Sequence, residues 1–136
     1  MPAASPFFGG NRVAQQYPVS TVRAYSSNVY GRCITNVGDH HFVVDHATYQ
    51  DGPGDQPGPT EIFLSGVASC GVLLVEREAK NRRVRLDSLE VTIDGHRSPA
   101  RPDREHTTFD RVAMRFAFVG PGEEDAGALV AHYRRT

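Results

Sequence analysis

The residue best suited to chemistry in this chain is Cys70, a lone thiol flanked by Ser69 and Gly71 in the middle of an apolar run. The thiolate, not the thiol, is the nucleophile, and apolar surroundings away from a helix N-terminus raise a thiol's pKa. Cys70 therefore needs a cation brought by another segment. Arg12, Arg23 and Arg32 precede the run and are the candidates. Arginine suits the task because it stays charged and its fork can hold a thiolate and a reacting oxygen together. The competing reading is a buried structural cysteine, since free Cys is among the most buried residue types, with each arginine a solvated surface charge.

Glu61 is a less direct candidate. If the run is helical, an offset of nine residues from Cys70 is about 900° of rotation, so the two lie on opposite sides and roughly 13 Å apart along the axis. Glu61 reads better as a helix-start residue, or as the anchor of an arginine, than as a base touching the thiol. His40, His41 and His46 invite a metal reading. In a strand, however, His40 and His46 share one face while His41 takes the other, and adjacent histidines on opposite faces make a poor cage. No metal or cofactor site is expected. Neither a Gly-rich phosphate loop nor a Ser-centred nucleophile motif is present, and Ser65 and Ser69 read as small residues for close helix packing.

The element that must position Cys70 is a helix. Pro57-Gly58-Pro59-Thr60-Glu61 is a turn and start signal, with Pro tolerated at the first helical position and Glu61 complementing the positive end of the helix dipole. From Ile62 to Val75 the residues are apolar or small almost all the way round, which predicts a helix buried on most of its circumference. Those fourteen residues make roughly 21 Å, the spine of a small domain but too short to span a bilayer. The helix is predicted over Thr60 to Lys80, with Asn81-Arg82-Arg83 as its stop.

Around it the pattern is strand-like. Ser20 to Ser26, Tyr30 to Val37 and His40 to His46 are short β-rich segments joined by turns at Ser27-Asn28 and Gly38-Asp39, which predicts an antiparallel meander. A Gly/Pro/Asp loop, Thr48 to Gln56, delivers the chain to the helix. After it, Leu89, Val91 and Ile93 alternate with Glu90, Thr92 and Asp94 inside Val84 to Arg97, a half-buried strand. A polar connection, Ser98 to Glu105, leads to a second long strand over His106 to Gly120, with Phe109, Val112, Met114, Phe116 and Phe118 as its inward residues. Glu123 to Arg135 reads as a second helix. The order βββ-α-ββ-α, with strands segregated around one buried helix, indicates an α+β fold.

Length and charge set the frame. The 136 residues fit one domain with one core, preceded by an arm over residues 1–17, so the domain is expected over 18–136. A net charge of -1 leaves no electrostatic footprint for nucleic acid. With no signal-peptide pattern and no expected membrane span, the cytoplasm is the expected compartment. The two cysteines, Cys33 and Cys70, have no CxxC spacing. In a reducing compartment that argues against a disulfide framework and leaves room for a redox thiol.

The run PGPTEIFLSGVASC, preceded by three strands and a Gly/Asp loop and followed by two long strands and a helix, resembles the OsmC/Ohr family over Val19 to Arg135. Its specific part is Pro57, Pro59 and Glu61 followed by Ser69-Cys70. The resemblance implies an intertwined homodimer in which an antiparallel sheet wraps long central helices, and reduction of organic hydroperoxides by a thiol in that helix. It implies Cys70 as the peroxidatic cysteine and Arg32 as the nearest match to the activating arginine. The glutamate of the hydroperoxide-resistance branch would fall at Thr60, whereas Glu61 fits the broader OsmC-like branch. A resolving cysteine would be expected near the C-terminal helix, where the sequence reads HYRRT. Cys33 is the other thiol, and an external thiol or dithiol is the expected reductant. The alternative function is a non-catalytic module of the same fold that binds an apolar small molecule at the dimer crevice.

Overall fold

The computed structural model describes residues 19–97 and 109–136. The arm at 1–17, Arg12, the connection at 98–105 and the start of the second long strand lie outside them. Strands β1 (Val22–Ser26), β2 (Arg32–Val37) and β3 (His40–Asp45) are followed by a short 3-10 turn (Thr48–Gln50) and helix α1 (Pro59–Arg82). Strands β4 (Ser88–His96) and β5 (Arg111–Val119) and helix α2 (Glu123–Tyr133) complete the order βββ-α-ββ-α. The α+β reading holds.

β1, β2 and β3 form an antiparallel meander. Its tight turn works because Gly38 takes φ 55, the left-handed value that a glycine at the first central position of a hairpin turn adopts without strain. β4 and β5 form a separate antiparallel pair, in which Leu89, Val91 and Ile93 face Phe118, Phe116 and Met114 across the ladder.

α1 begins as the sequence predicts, with Gly58 as N-cap, Pro59 in the first turn and Glu61 as the first-turn acid. It stops at Arg83, which adopts φ 56, and the Val84 N–H donates to the Ala79 carbonyl at 2.9 Å. That closes the last turn as a left-handed C-cap does. The helix has 24 residues and is long and apolar enough, by length and composition, to cross a membrane, which its fourteen-residue apolar stretch did not predict. Its C-terminal half is instead the centre of the core. Val75, Ala79 and Leu129 are fully buried together, with Leu89, Phe116, Phe118 and Tyr133 packed around them. Tyr133 meets Phe116 edge-on, with centroids 5.4 Å apart.

Two expectations need correction. Within one chain α1 is not buried on most of its circumference: only Gly71, Val75 and Ala79 are buried, while Phe63 is 60% and Leu73 64% exposed. The paired strands β4 and β5 cover one side of the helix, and α2 flanks that same packed region. Val112 shares the face of Met114, Phe116 and Phe118 but is 45% exposed, because it pairs with Gly95 at the end of the hairpin next to the residue 97–110 connection, beyond the core.

Candidate functional site

Cys70 and Gly71 are neighbours with opposite fates. A Cβ placed on Gly71 would lie 3.1 Å from Met114 Cε and 3.6 Å from Val91 Cγ1, so the glycine lets α1 settle directly on the β4–β5 sheet. One residue is about 100° of rotation, which turns Cys70 off that contact. Its side chain is exposed. Phe63, Gly66, Cys70 and Leu73 follow one another at spacings of three and four residues and share a single open stripe. Ser65 and Ser69 donate their hydroxyls to the Ile62 and Ser65 carbonyls at 2.8 and 2.7 Å. Both hydroxyls are thereby spent on the helix backbone.

Arg32 is held elsewhere. Its Nε and Nη2 donate to the two carboxylate oxygens of Asp45, each at 2.8 Å, and Nη2 also reaches Asp55 at 3.3 Å. The Asp45 side chain is fully buried, and its Oδ2 accepts two further bonds, from the backbone N–H groups of Asp55 at 3.1 Å and Gln56 at 3.0 Å. A buried carboxylate needs this full set of donors. The Arg32 bonds, helped by the Gln56 and Asp55 N–H groups, lower the Asp45 pKa to about 2 against the opposing effect of burial. Asp45 in turn raises the Arg32 pKa above its ordinary value. The pair pins the loop that feeds α1 to the end of the three-stranded sheet. No bond joins Arg32 to Cys70.

Glu61 is at the helix start, its carboxylate folded back over Gly58, where a Cβ would meet Oε2 at 2.6 Å. It lines a polar cavity of about 430 Å³ with His46, Tyr49, Thr60 and Arg97. Cys70 is not among the residues lining that cavity. Arg23 sits on exposed β1. Cys33, in β2, lines a second cavity of about 360 Å³ with Arg32, Val44 and His46. Among the described residues no group of three or more His, Cys, Asp or Glu is placed to hold a metal ion.

Sequence reasoning passed over two features. Asp45 ends an apolar strand segment, HFVVD, and an acid in that position signals a buried partner. The second is the stack over the first half of α1. The Phe109 ring lies on Gly95, so close that no Cβ would fit there, and its other neighbour is Phe63, with centroids 6.5 Å apart. The Arg97 guanidinium sits 5.1 Å from the Phe109 centroid and donates to Thr60 Oγ1 at 2.6 Å. A glycine inside a strand often marks such a close approach, so Gly95 was the available signal.

This arrangement, a long central helix that carries an exposed thiol and rests on an antiparallel hairpin, defines the class. The model of the OsmC-like protein family matches residues 52–136, more than half of the chain, and the chain belongs to that family. Among solved structures it is similar to an OsmC like protein from Mycoplasma pneumoniae, with TM-score 0.73 and 14% identity over 85% of this chain and 80% of that one. It is also similar to an organic hydroperoxide resistance protein OsmC from Legionella pneumophila, with TM-score 0.66 and 20% identity over 85% and 81% of the two chains. A hypothetical protein from Aquifex aeolicus matches with TM-score 0.67 and 15% identity over 83% and 76%. At these identities the likeness establishes the fold. No curated protein sequence matches.

Proposed function

We propose that this protein is a thiol peroxidase for organic hydroperoxides, working as a homodimer in the cytoplasm with Cys70 as its nucleophile. The observation that carries the reading is the exposed position of Cys70 on the open stripe of the central helix in an OsmC-like domain. The Cys70 thiolate attacks the terminal oxygen of the hydroperoxide. The O–O bond breaks, the alkoxide takes a proton and leaves as an alcohol, and the sulfur keeps the oxygen as sulfenic acid. An external thiol then condenses with the sulfenic acid, releasing water and leaving a mixed disulfide, and a second thiol frees Cys70. Two electrons pass from the external thiols to the peroxide, and no cofactor takes part.

Arg32 and Glu61 serve this site as positioning residues in the proposal. Arg32 acts through Asp45 on the loop that leads into α1, and Glu61 acts on the first turn of the helix. The homodimer rests on what one chain leaves open: Leu73 on α1, Val22 and Tyr25 on β1, and Val119 on β5 are large exposed apolar side chains. A two-stranded sheet is also marginal alone, and a second copy would extend it. A stable monomer at micromolar concentration by light scattering would remove the dimer from the proposal.

A second reading has one observation in its favour. Among the described residues, no arginine, lysine or histidine hydrogen-bonds to Cys70, and Arg32 is occupied by Asp45 and Asp55. A domain with an unassisted thiol would serve as a binding module for an apolar small molecule. The deciding experiment is consumption of cumene hydroperoxide with a dithiol reductant, wild type against Cys70→Ser. Turnover lost in the variant supports the peroxidase. A wild type that consumes no peroxide supports the module.

A further inference from the structure

Among the described residues Cys70 has no cation beside it, yet an arginine without a counter-ion stands at the start of the same helix. Arg97, the residue after β4, donates from Nη2 to Thr60 Oγ1 at 2.6 Å, and its guanidinium sits 5.1 Å from the Phe109 centroid. Both anchors are neutral. Arg32, Arg82, Arg85 and Arg115 each close on a carboxylate, at Asp45, Glu78, Asp87 and Asp94. Arg97 meets no such acid among the described residues, although Glu61 lines the same polar cavity. It is exposed and held in place. A guanidinium with uncommitted N–H donors and no counter-charge is fitted to receive an anion.

Arg97 cannot serve the thiol of its own chain, because Thr60 and Cys70 are about 15 Å apart along the axis. A second copy changes this. Gly66 is exposed, and a Cβ built there would meet nothing within 4 Å, so another helix can come closest at that point. Two copies crossing antiparallel at Gly66 place Cys70 about 6 Å from the crossing. The partner's Phe63 then lies at about 4.5 Å and the partner's Thr60 at about 9 Å on the same side. Thr60 is about 80° off the Cys70 line, so the guanidinium enters from the edge of the interface. A parallel crossing would set thiol against thiol and guanidinium against guanidinium, with the two helix dipoles aligned. The antiparallel one sets a thiol against a guanidinium at both ends, which makes the surface complementary to itself, as a two-fold interface requires.

We infer that the partner's Arg97 is the catalytic cation of Cys70 in the homodimer, so that each reaction site is built from two chains. The inference rests on the peroxidase reading for the step that is assisted, but not for the contact between the chains. In that step the guanidinium holds the sulfur as thiolate and then faces the negative charge that develops on the departing alkoxide. The alkoxide takes its proton from solvent, and Arg97 keeps its own. Arg77 is the competing cation. It is exposed on the same chain as the thiol, about 10 Å beyond it, with Leu73 between them.

Mixed dimers decide which chain supplies the cation. Chains with two different affinity tags are co-expressed, and doubly tagged dimers are alkylated with iodoacetamide at neutral pH, the modified Cys70 peptide being quantified by mass spectrometry. Arg97→Met keeps an apolar stem over Phe109 and removes the charge. As a homodimer it should alkylate about tenfold more slowly than the wild type, while Arg77→Met stays within about twofold. A dimer of one Cys70→Ser chain and one Arg97→Met chain should react at the wild-type rate, because its thiol faces an intact Arg97 on the other chain. A dimer of one wild-type chain and one chain with both substitutions should be about tenfold slow, because its thiol faces none. Thr60→Val, which releases the guanidinium without removing it, replaces Arg97→Met in every dimer if that variant does not fold. Consumption of cumene hydroperoxide, as kcat/KM per thiol, should follow the same order. Equal rates in the two mixed dimers, the reverse order, or a protein that stays monomeric overturns the inference. Alkylation in the expected order with no peroxide consumed by any dimer sinks the peroxidase and leaves the two-chain site standing. Turnover that is indifferent to Arg97→Met keeps the peroxidase and removes Arg97 from it.

Discussion

The two sides of α1 are built from similar residues and treated in opposite ways. Gly71, Val75 and Ala79 are buried against β4, β5 and α2, while Phe63, Gly66, Cys70 and Leu73 remain open. Hydrophobicity does not separate them, since both sides are apolar. Shape does. The packed side presents Gly71 where the Met114 and Phe116 side chains press in, and the open side presents Gly66 with nothing pressing on it. An apolar helix surface is therefore divided by where its glycines sit rather than by polarity.

The core side should show the largest effect when broken. Leu129→Ala removes the fully buried side chain through which α2 locks onto Val75 and Ala79. It should cost about 2–5 kcal/mol in a denaturant titration. The iodoacetamide rate of Cys70, measured in the folded protein, should change little. A loss below about 1 kcal/mol would mean that α2 is not part of the core.

The two glycines sharpen the comparison at smaller scale. Gly71→Val drives two methyl groups toward Met114 and Phe116 and should destabilise by about 1–3 kcal/mol. Gly66→Ala adds a methyl group to open space in a helix interior, and alanine is about 1 kcal/mol better than glycine there. The thermal midpoint should thus fall with the first substitution and rise with the second. Equal signs for the two would show that the sides are not distinct. If Gly66→Ala destabilises only above the concentration at which the protein dimerises, a partner helix is using the gap.

Much of this was legible in the residues. The helix start at Pro59-Thr60 and the turn at Gly38 are local chemistry, written where they act, and the structure has them there, while the stop expected over Asn81-Arg82-Arg83 falls at its last residue, two residues beyond the expected end at Lys80. The alternation of Leu89, Val91 and Ile93 likewise named the buried face of β4. What could not be read was long-range choice. Arg12, Arg23 and Arg32 are equivalent as letters, and only the fold reveals that Arg32 closes on Asp45, thirteen residues away. The openness of α1 within a single chain is of another kind, since it follows from the residues themselves. An apolar circumference predicts burial, yet one chain of this length has too little sheet to provide it. Phe109 was expected to face inward, but its partner turned out to be Phe63 rather than the core.

The last comparison sets Asp45 against Cys70, the ordered carboxylate beneath the helix start against the open thiol further along. Asp45 has its pKa depressed to about 2 from an ordinary 3.8, so it binds its proton less readily in the folded state than in the unfolded one. Its contribution to stability is therefore fully present above about pH 4 and is lost as the pH falls through 2. Asp45→Asn keeps the shape but removes the charge that Arg32 and two backbone N–H groups address. At neutral pH the variant should be less stable than the wild type, and the gap should narrow between about pH 4 and pH 2 as the wild-type carboxylate protonates. Guanidinium titrations at stepped pH measure this directly, and a gap that stays constant with pH would mean that the charge of Asp45 contributes nothing. The same variant, alkylated at neutral pH, asks whether the two regions communicate. A change of Cys70 reactivity in Asp45→Asn beyond about twofold, with α1 still folded, would make the loop over residues 51–58 the carrier of Arg32's influence on the thiol, because Arg32 itself makes no bond to it.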